Sequence, residues 1–368
     1  MLTRRFRSTL VVCAVALSAL AAAGPRAAAR TELPSRLSDS EFWDLTDQLS
    51  EENGYFRSDN FLSNETGYQA IIPSLLSRVK PGAVYLGVAP EINFTYINST
   101  KPKMAFIIDI RRGNLHEHLL YKALFEMSAN RAEFLSRLFS RPKPASLSAS
   151  SSIEEMFAAY DNVQPTDAAF QENLKAVMTW LTEKHGFKLR PDDPDGIAYV
   201  YKEGFFRGGP YLNYSFGSAG GMGGANSPTY ESLMLTHDGS GVNRGFLATE
   251  DNFAWVRDFE SKNLLVPVVG NFGGPKAIRA VGKYIKDHGG TVGAFYLSNV
   301  EQYLTGGLWE SFCASAATLP LDENSTYIFS GRGAPNSPGG FGYGGRGGGM
   351  NLSRIRPIQE ETRACAEK

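Results

Sequence analysis

Residues 84–110 constrain the fold of this chain more tightly than any other stretch. An apolar run at 84–88 breaks at a turn carrying Gly87 and Pro90, and a helix-like segment follows. A second apolar run at 104–110 then carries Asp109 near its carboxyl end. In Rossmann-like units a glycine turn after the first strand lets a ligand approach the backbone. An acid about 20 residues later, at the tip of the second strand, takes ribose hydroxyls. Gly87 and Asp109 keep that spacing, but a single glycine followed by Ala89 and Pro90 is not G-x-G-x-x-G. The unit predicts a nucleoside-type pocket rather than a dinucleotide site.

The alternation resumes downstream. LLVPVVGNF and TVGAFYLSN read as buried strands around the helix-like PKAIRAVGKYIKDH, and STYIFSG reads as a last strand. Uniformly apolar strands between helices predict a three-layer, Rossmann-like α/β fold with a mostly parallel sheet. Its central strands are expected at 84–88, 104–109, 264–269 and 291–297, the first two adjacent and parallel. Helices are expected at 38–49 and 68–79, and a long helix or helix pair at 115–139, where apolar residues recur at helical spacing. From 141 to 228 the composition changes. A Pro/Ser/Ala spacer leads to two helical patterns, then to IAYVYKEGFFRGGPYLNYSFG, which alternates like a hairpin, and to the loop SAGGMGGANSP. This reads as an insertion in one domain spanning 30–330. The glycine-rich residues from 331 to 368 read as a flexible segment.

Arg4, Arg5 and Arg7, an apolar stretch at 10–20 and small residues at 21–23 and 27–29 form a secretory signal pattern. Residues 1–29 are therefore expected to leave the mature, exported chain, or to anchor it if uncleaved. A net charge of −1 gives no electrostatic case for nucleic acid or anionic lipid as a partner. Beyond the signal, Cys313 and Cys365 remain. In an oxidising compartment they either pair, tying down the C-terminal segment, or stay unrelated thiols. Nothing in the sequence states the oligomeric state.

Four segments carry a resemblance: SNET; YLGVAPEINFTYI with FIIDIRRGNLHEHLLYKALFE; LVPVVGNFGGPKAIRAVGKYI; and GAFYLSNVEQYL. Together they resemble an uncharacterised family of bacterial proteins, several of them exported. The layout of that family is similar to class I methyltransferases that use S-adenosylmethionine. The resemblance implies cofactor contacts at Gly87 and Asp109, with residues 271–274 on the substrate side. The glycine motif departs from that pattern, being reduced to GVAPE.

Several side chains are candidates for a site. Asp109 either accepts ribose hydroxyls or caps the turn R-R-G-N. Glu91 and Asn93, after the glycine turn, either orient a ligand or serve the start of a helix. Asn64 and Glu65 lie in a loop that either covers the pocket or caps a helix. One of Arg111 and Arg112 is expected to face the site. His116 and His118, two apart on a helix, face nearly opposite ways and cannot share a metal. His237 with Asp238 is either an acid–base pair or a turn. Asn271, Ser298, Asn299 and Glu301 end strands, on the rim where α/β sheets bind ligands. The cofactor-contact set is thus Gly87, Glu91, Asp109, Asn271 and Asn299, with no metal. No nucleophile elbow, P-loop or H-E-x-x-H appears.

The leading expectation is a methyltransferase-like domain binding a nucleoside-containing or other small ligand. Its rivals are a non-catalytic exported binding protein and an envelope enzyme acting through Asp109, Glu91 or His237. The export reading makes a direct prediction. N-terminal sequencing of protein from an expressing bacterium should find a start near Gly24 or Arg30, and an intact Met1 on a cytoplasmic product would refute it.

Overall fold

Six strands form one sheet in the order β3-β2-β1-β4-β5-β6: β1 (Val84–Gly87), β2 (Ala105–Asp109), β3 (Leu265–Val269), β4 (Val292–Ser298), β5 (Leu321–Ser330) and β6 (Ser353–Pro357). The first five are parallel, β1 pairing with both β2 and β4, and β6 runs antiparallel to β5. This is the Rossmann order, with the chain reversing direction across the sheet between β1 and β4. The structure is a computed structural model that describes residues 32–214, 227–330 and 353–366. The signal pattern at 1–29, most of the glycine-rich loop and the glycine-rich run at 334–349 lie outside the described residues.

Strands β1, β2 and β3 are buried along their whole length, which is why each reads as a continuous apolar run. Pro267 sits in β3, an edge strand, where a missing N–H is tolerated. Helices cover the sheet: α1 (Asp39–Leu49), α2 (Ile72–Leu76), α3 (Ile92–Thr100), α4 (Arg112–Met127), α5 (Arg131–Leu138), α6 (Ile153–Tyr160), α7 (Asp167–Thr179), α8 (Asp193–Tyr199), α9 (Tyr230–Met234), α10 (Glu250–Ser261), α11 (Ala277–Asp287), α12 (Leu308–Ala316) and α13 (Ile358–Ala366). Ser38 and Glu41 close a reciprocal capping box on α1. The expected helix at 68–79 shrinks to α2, which begins beside Pro73. The expected pair at 115–139 divides at Ser128, and Asn130 caps α5. Phe94, Phe125, Phe134 and Phe253, from four helices, interlock with ring centroids 4.6–5.5 Å apart.

Two expectations are corrected. Residues 197–211 of the segment expected as a hairpin are helical: α8 runs on through a wide turn at Val200–Phe206 and a tight one at Gly209–Tyr211. Its buried residues Ile197, Val200, Tyr201, Gly204 and Phe205 follow helical spacing, which the many aromatics mask as alternation. The insertion packs onto α4, where Arg112 makes a bidentate pair with Asp193 at 2.6 and 2.7 Å. The second correction concerns residues 353–366, expected in a flexible segment. They form the edge strand β6 and helix α13, held by a disulfide between Cys313 on α12 and Cys365. Arg354 and Arg356 place charge on that edge, which blunts it against further pairing.

The disulfide joins positions 52 residues apart, and a closed loop of that length stabilises by about 2–4 kcal/mol. Cys365→Ser should lower unfolding free energy by about that amount, read by denaturant titration with and without reductant. An unchanged midpoint would show that β6 docks without the bond.

Candidate functional site

At the carboxyl ends of β1, β2, β3 and β4 the rim opens into a cavity of about 340 Å³. That is within the size range of small-ligand pockets, about 300–1,000 Å³. Asp109 from β2, Asn271 after β3, Ser298 and Asn299 after β4, and Val88 to Pro90 after β1 all line it. Tyr55, Phe56, Tyr214, Phe272, Tyr296 and Tyr303 form aromatic walls, and Phe56 meets Tyr303 edge-on at 5.0 Å. Among the described residues six non-glycines adopt a left-handed backbone, and three of them, Asn60, Ala89 and Ser298, line this cavity. Strain of this kind gathers at ligand sites because the surrounding structure must hold it in place.

The cofactor-contact candidates divide. Asp109, Asn271 and Asn299 face the cavity; Gly87 and Glu91 do not line it. A Cβ on Gly87 would stand 2.1 Å from Asn93 Oδ1. The glycine therefore makes room for the protein's own Asn93 rather than for a ligand. Asn93 Nδ2 donates to the carbonyls of Val88, Ala89 and Pro90 at 2.9, 3.0 and 2.7 Å, and its Oδ1 accepts from Tyr85 at 2.8 Å. Glu91 is completely buried, and its carboxyl turns back onto its own N–H and that of Ser63. Burial pushes Glu91 up to about 8, so at neutral pH it is mostly an uncharged acid.

Asp109 does both things the sequence left open. It lines the cavity, and its Oδ1 also accepts the Arg111 N–H at 2.9 Å, capping the turn. Arg111 folds back onto it, Nε to Oδ1 at 3.3 Å, and donates to the Asp59 carbonyl. Of the two arginines, only Arg111 lines the cavity. Arg112 belongs to the buried Asp193 pair, which His116 joins at 2.7 Å. Burial opposes the charge on Asp193, but the His116 and Arg112 hydrogen bonds win and hold its carboxyl below the usual range. His118 donates to the Ala89 carbonyl at 3.1 Å, and burial lowers it to about 4. Among the described residues no cluster of His, Cys, Asp and Glu is arranged for a metal.

His237 lies exposed and away from the cavity, which removes it as a site acid–base. Its neighbour Asp238 organises a turn, accepting from the Ser240 side chain at 2.7 Å and from the N–H groups of Ser240 and Val242 at 2.8 and 3.0 Å. Glu301 pairs with Arg354 of β6 at 3.1 Å. The SNET segment behaves differently, with Asn64 lining the cavity and Glu65 buried just behind it. Glu65 Oε1 accepts from Tyr296 at 2.8 Å and from the Ser298 hydroxyl, so it ties the strained β4 tip to the loop. Burial raises the Glu65 carboxyl above its ordinary value. Tyr303 lies in the quoted segment GAFYLSNVEQYL, but Tyr55, Phe56 and Tyr214 carry no motif. Their only signal in the sequence is aromatic content in loops.

A Rossmann-like α/β sheet with a lined cavity at its strand tips is the class to which this molecule belongs. The chain matches the model of a domain of unknown function, DUF7790, over residues 60–191 and 228–334, and it belongs to that family. No curated protein matches it.

Glu91 makes a pH prediction. Its folded value of about 8 exceeds the unfolded value of about 4.3, so the folded chain holds a proton that the unfolded chain has released between those limits. The associated stability is complete below about pH 4.3 and is lost as pH rises through about 8. Glu260, also raised to about 8 by burial, acts in the same direction. His118, lowered by burial, gives the opposite slope up to about pH 6.5, so unfolding midpoints should fall from about pH 6.5 to pH 8, and Glu91→Gln should flatten that slope. A variant with the wild-type slope would show that Glu91 does not titrate in this window.

Proposed function

We propose that this member of the DUF7790 family is an exported small-molecule-binding protein whose ligand site is the cavity between Asp109, Asn271 and Asn299. A compact ring-bearing ligand of nucleoside type is the occupant this reading favours. One observation carries it. Polar side chains from well-separated parts of the chain converge on one strand-end cavity with aromatic walls, the usual make-up of a small-ligand site. The left-handed Ala89 and Ser298, which both line this cavity, add to it.

The resemblance to class I methyltransferases implies S-adenosylmethionine, and the residues present fit it only in part. Asp109 stands where an acid would take ribose hydroxyls, although Arg111 already engages its carboxylate. The close backbone approach that the layout needs at the glycine turn is blocked, because Asn93 fills the space before Gly87. The group does not fit there, and no methyl-transfer step is derived. An exported body would also meet little of this cytoplasmic metabolite. Binding without catalysis is therefore preferred to methyl transfer.

Thermal unfolding with adenosine, S-adenosylmethionine and its demethylated product tests this reading. Adenosine at 100 times its dissociation constant should add about 2.7 kcal/mol of stability. Asp109→Asn should remove that shift while the free protein still folds. A shift from S-adenosylmethionine at least as large as that from adenosine would return the methyltransferase reading, and no shift from any of the three would remove the nucleoside one.

A further inference from the structure

We propose that the cavity selects a neutral ring bearing adjacent hydroxyl groups and rejects phosphate. That chemistry is shared by a saccharide and by the ribose of a nucleoside. The inference rests on the ligand-site reading above and narrows the chemistry of the ligand.

The first argument is that the phosphate positions after β1, β2 and β3 are already filled. A helix N-terminus facing a ligand site attracts anions through its free N–H groups and its dipole. After β1, Pro90 has no N–H, and the Glu91 carboxyl covers its own N–H and that of Ser63. After β2, Asp109 Oδ1 takes the Arg111 N–H and Asn53 Oδ1 takes the Arg112 N–H at 2.8 Å. After β3, Glu51 takes the N–H groups of Asn271, Lys276 and Ala277 at 3.0, 3.0 and 2.8 Å. At these three turns the oxygens of the protein's own acids and amides occupy the position a phosphate would take. Arg111, the cation on the wall, is committed to Asp109 and to the Asp59 carbonyl, so the two wall charges cancel.

The second argument concerns what is left free. Among the described residues, no group hydrogen-bonds the side-chain amides of Asn64 and Asn299, and the buried Oδ1 of Asn60 has no partner. A carboxamide presents a donor and an acceptor side by side. A pair of adjacent hydroxyls, each able to donate and accept, matches that edge. The aromatic walls offer flat apolar faces to the ring itself. A site built to hydrogen-bond hydroxyls also rejects analogues that lack them, because its own polar groups are then left unpaired.

Isothermal titration of the full chain with two matched pairs tests this: adenosine against adenosine 5′-monophosphate, and glucose against glucose 6-phosphate. In whichever pair binds, the neutral member should bind at least tenfold more tightly than the phosphorylated one, and the pair that responds identifies the source. The double variant Asn64→Leu, Asn299→Leu should weaken the neutral ligand tenfold or more with little change in the free protein's Tm. Equal or tighter binding of a phosphorylated probe overturns the inference, as does unchanged binding by the double variant. If Asn299→Trp blocks that binding, the ligand site itself still stands. No heat from any of the four probes overturns both readings.

Discussion

The rim of this molecule depends on Asn93. One side-chain amide ties three consecutive carbonyls and a buried tyrosine hydroxyl, and so holds the turn after β1 in a shape that puts Ala89 at a φ of 64°. That conformation costs an alanine roughly 1–2 kcal/mol and needs such a clamp. His118 adds a further hydrogen bond to the Ala89 carbonyl. Gly87 is then required because any side chain there would displace Asn93. A glycine in a ligand-binding position is thus explained by a contact inside the protein.

The opposite wall is built in the same way. Glu65 gathers the hydroxyls of Tyr296 and Ser298 onto one buried oxygen and fixes the left-handed tip of β4. A buried acid stands behind each wall, Glu91 behind one and Glu65 behind the other, and burial raises both carboxyls above their ordinary value. A neutral acid can sit in a dry interior where a carboxylate would need a cation beside it. Glu91, raised to about 8, can therefore anchor the Ser63 N–H near neutral pH without a buried cation beside it.

Much of the fold was legible because β1 to β4 lie in the sheet interior or near it, and burial forces continuous apolar runs. Asp109, Asn271 and Asn299 were readable as rim residues by topology alone, since parallel strands end on one edge. The function of Gly87 was not, because its neighbour Asn93 is close in sequence but meets it only through the turn geometry. Glu65 and Ser298 stand 233 positions apart, and no local pattern joins them. Residues 197–206 misled because Ile197, Tyr199 and Tyr201 alternate like a strand, while the buried positions follow helical spacing. Strand β6 was hidden because it is half-buried and carries two arginines, so it lacks the apolar run of its neighbours.

Strand β6 also governs how safely this chain folds. The outer edge of β5, with Tyr327, Ile328 and Phe329 buried, is a row of unpaired backbone groups until β6 arrives antiparallel beside it. The two strands are separated in sequence by residues 331–352, so the edge is open for as long as that stretch takes to be made and closed. During that interval the half-formed sheet is a template for another copy of itself. Oxidation of Cys313 with Cys365 ends the interval by tying α13, which follows β6 directly, to α12. The bond keeps the covering strand in place as well as adding stability, and a reducing compartment would leave it unset.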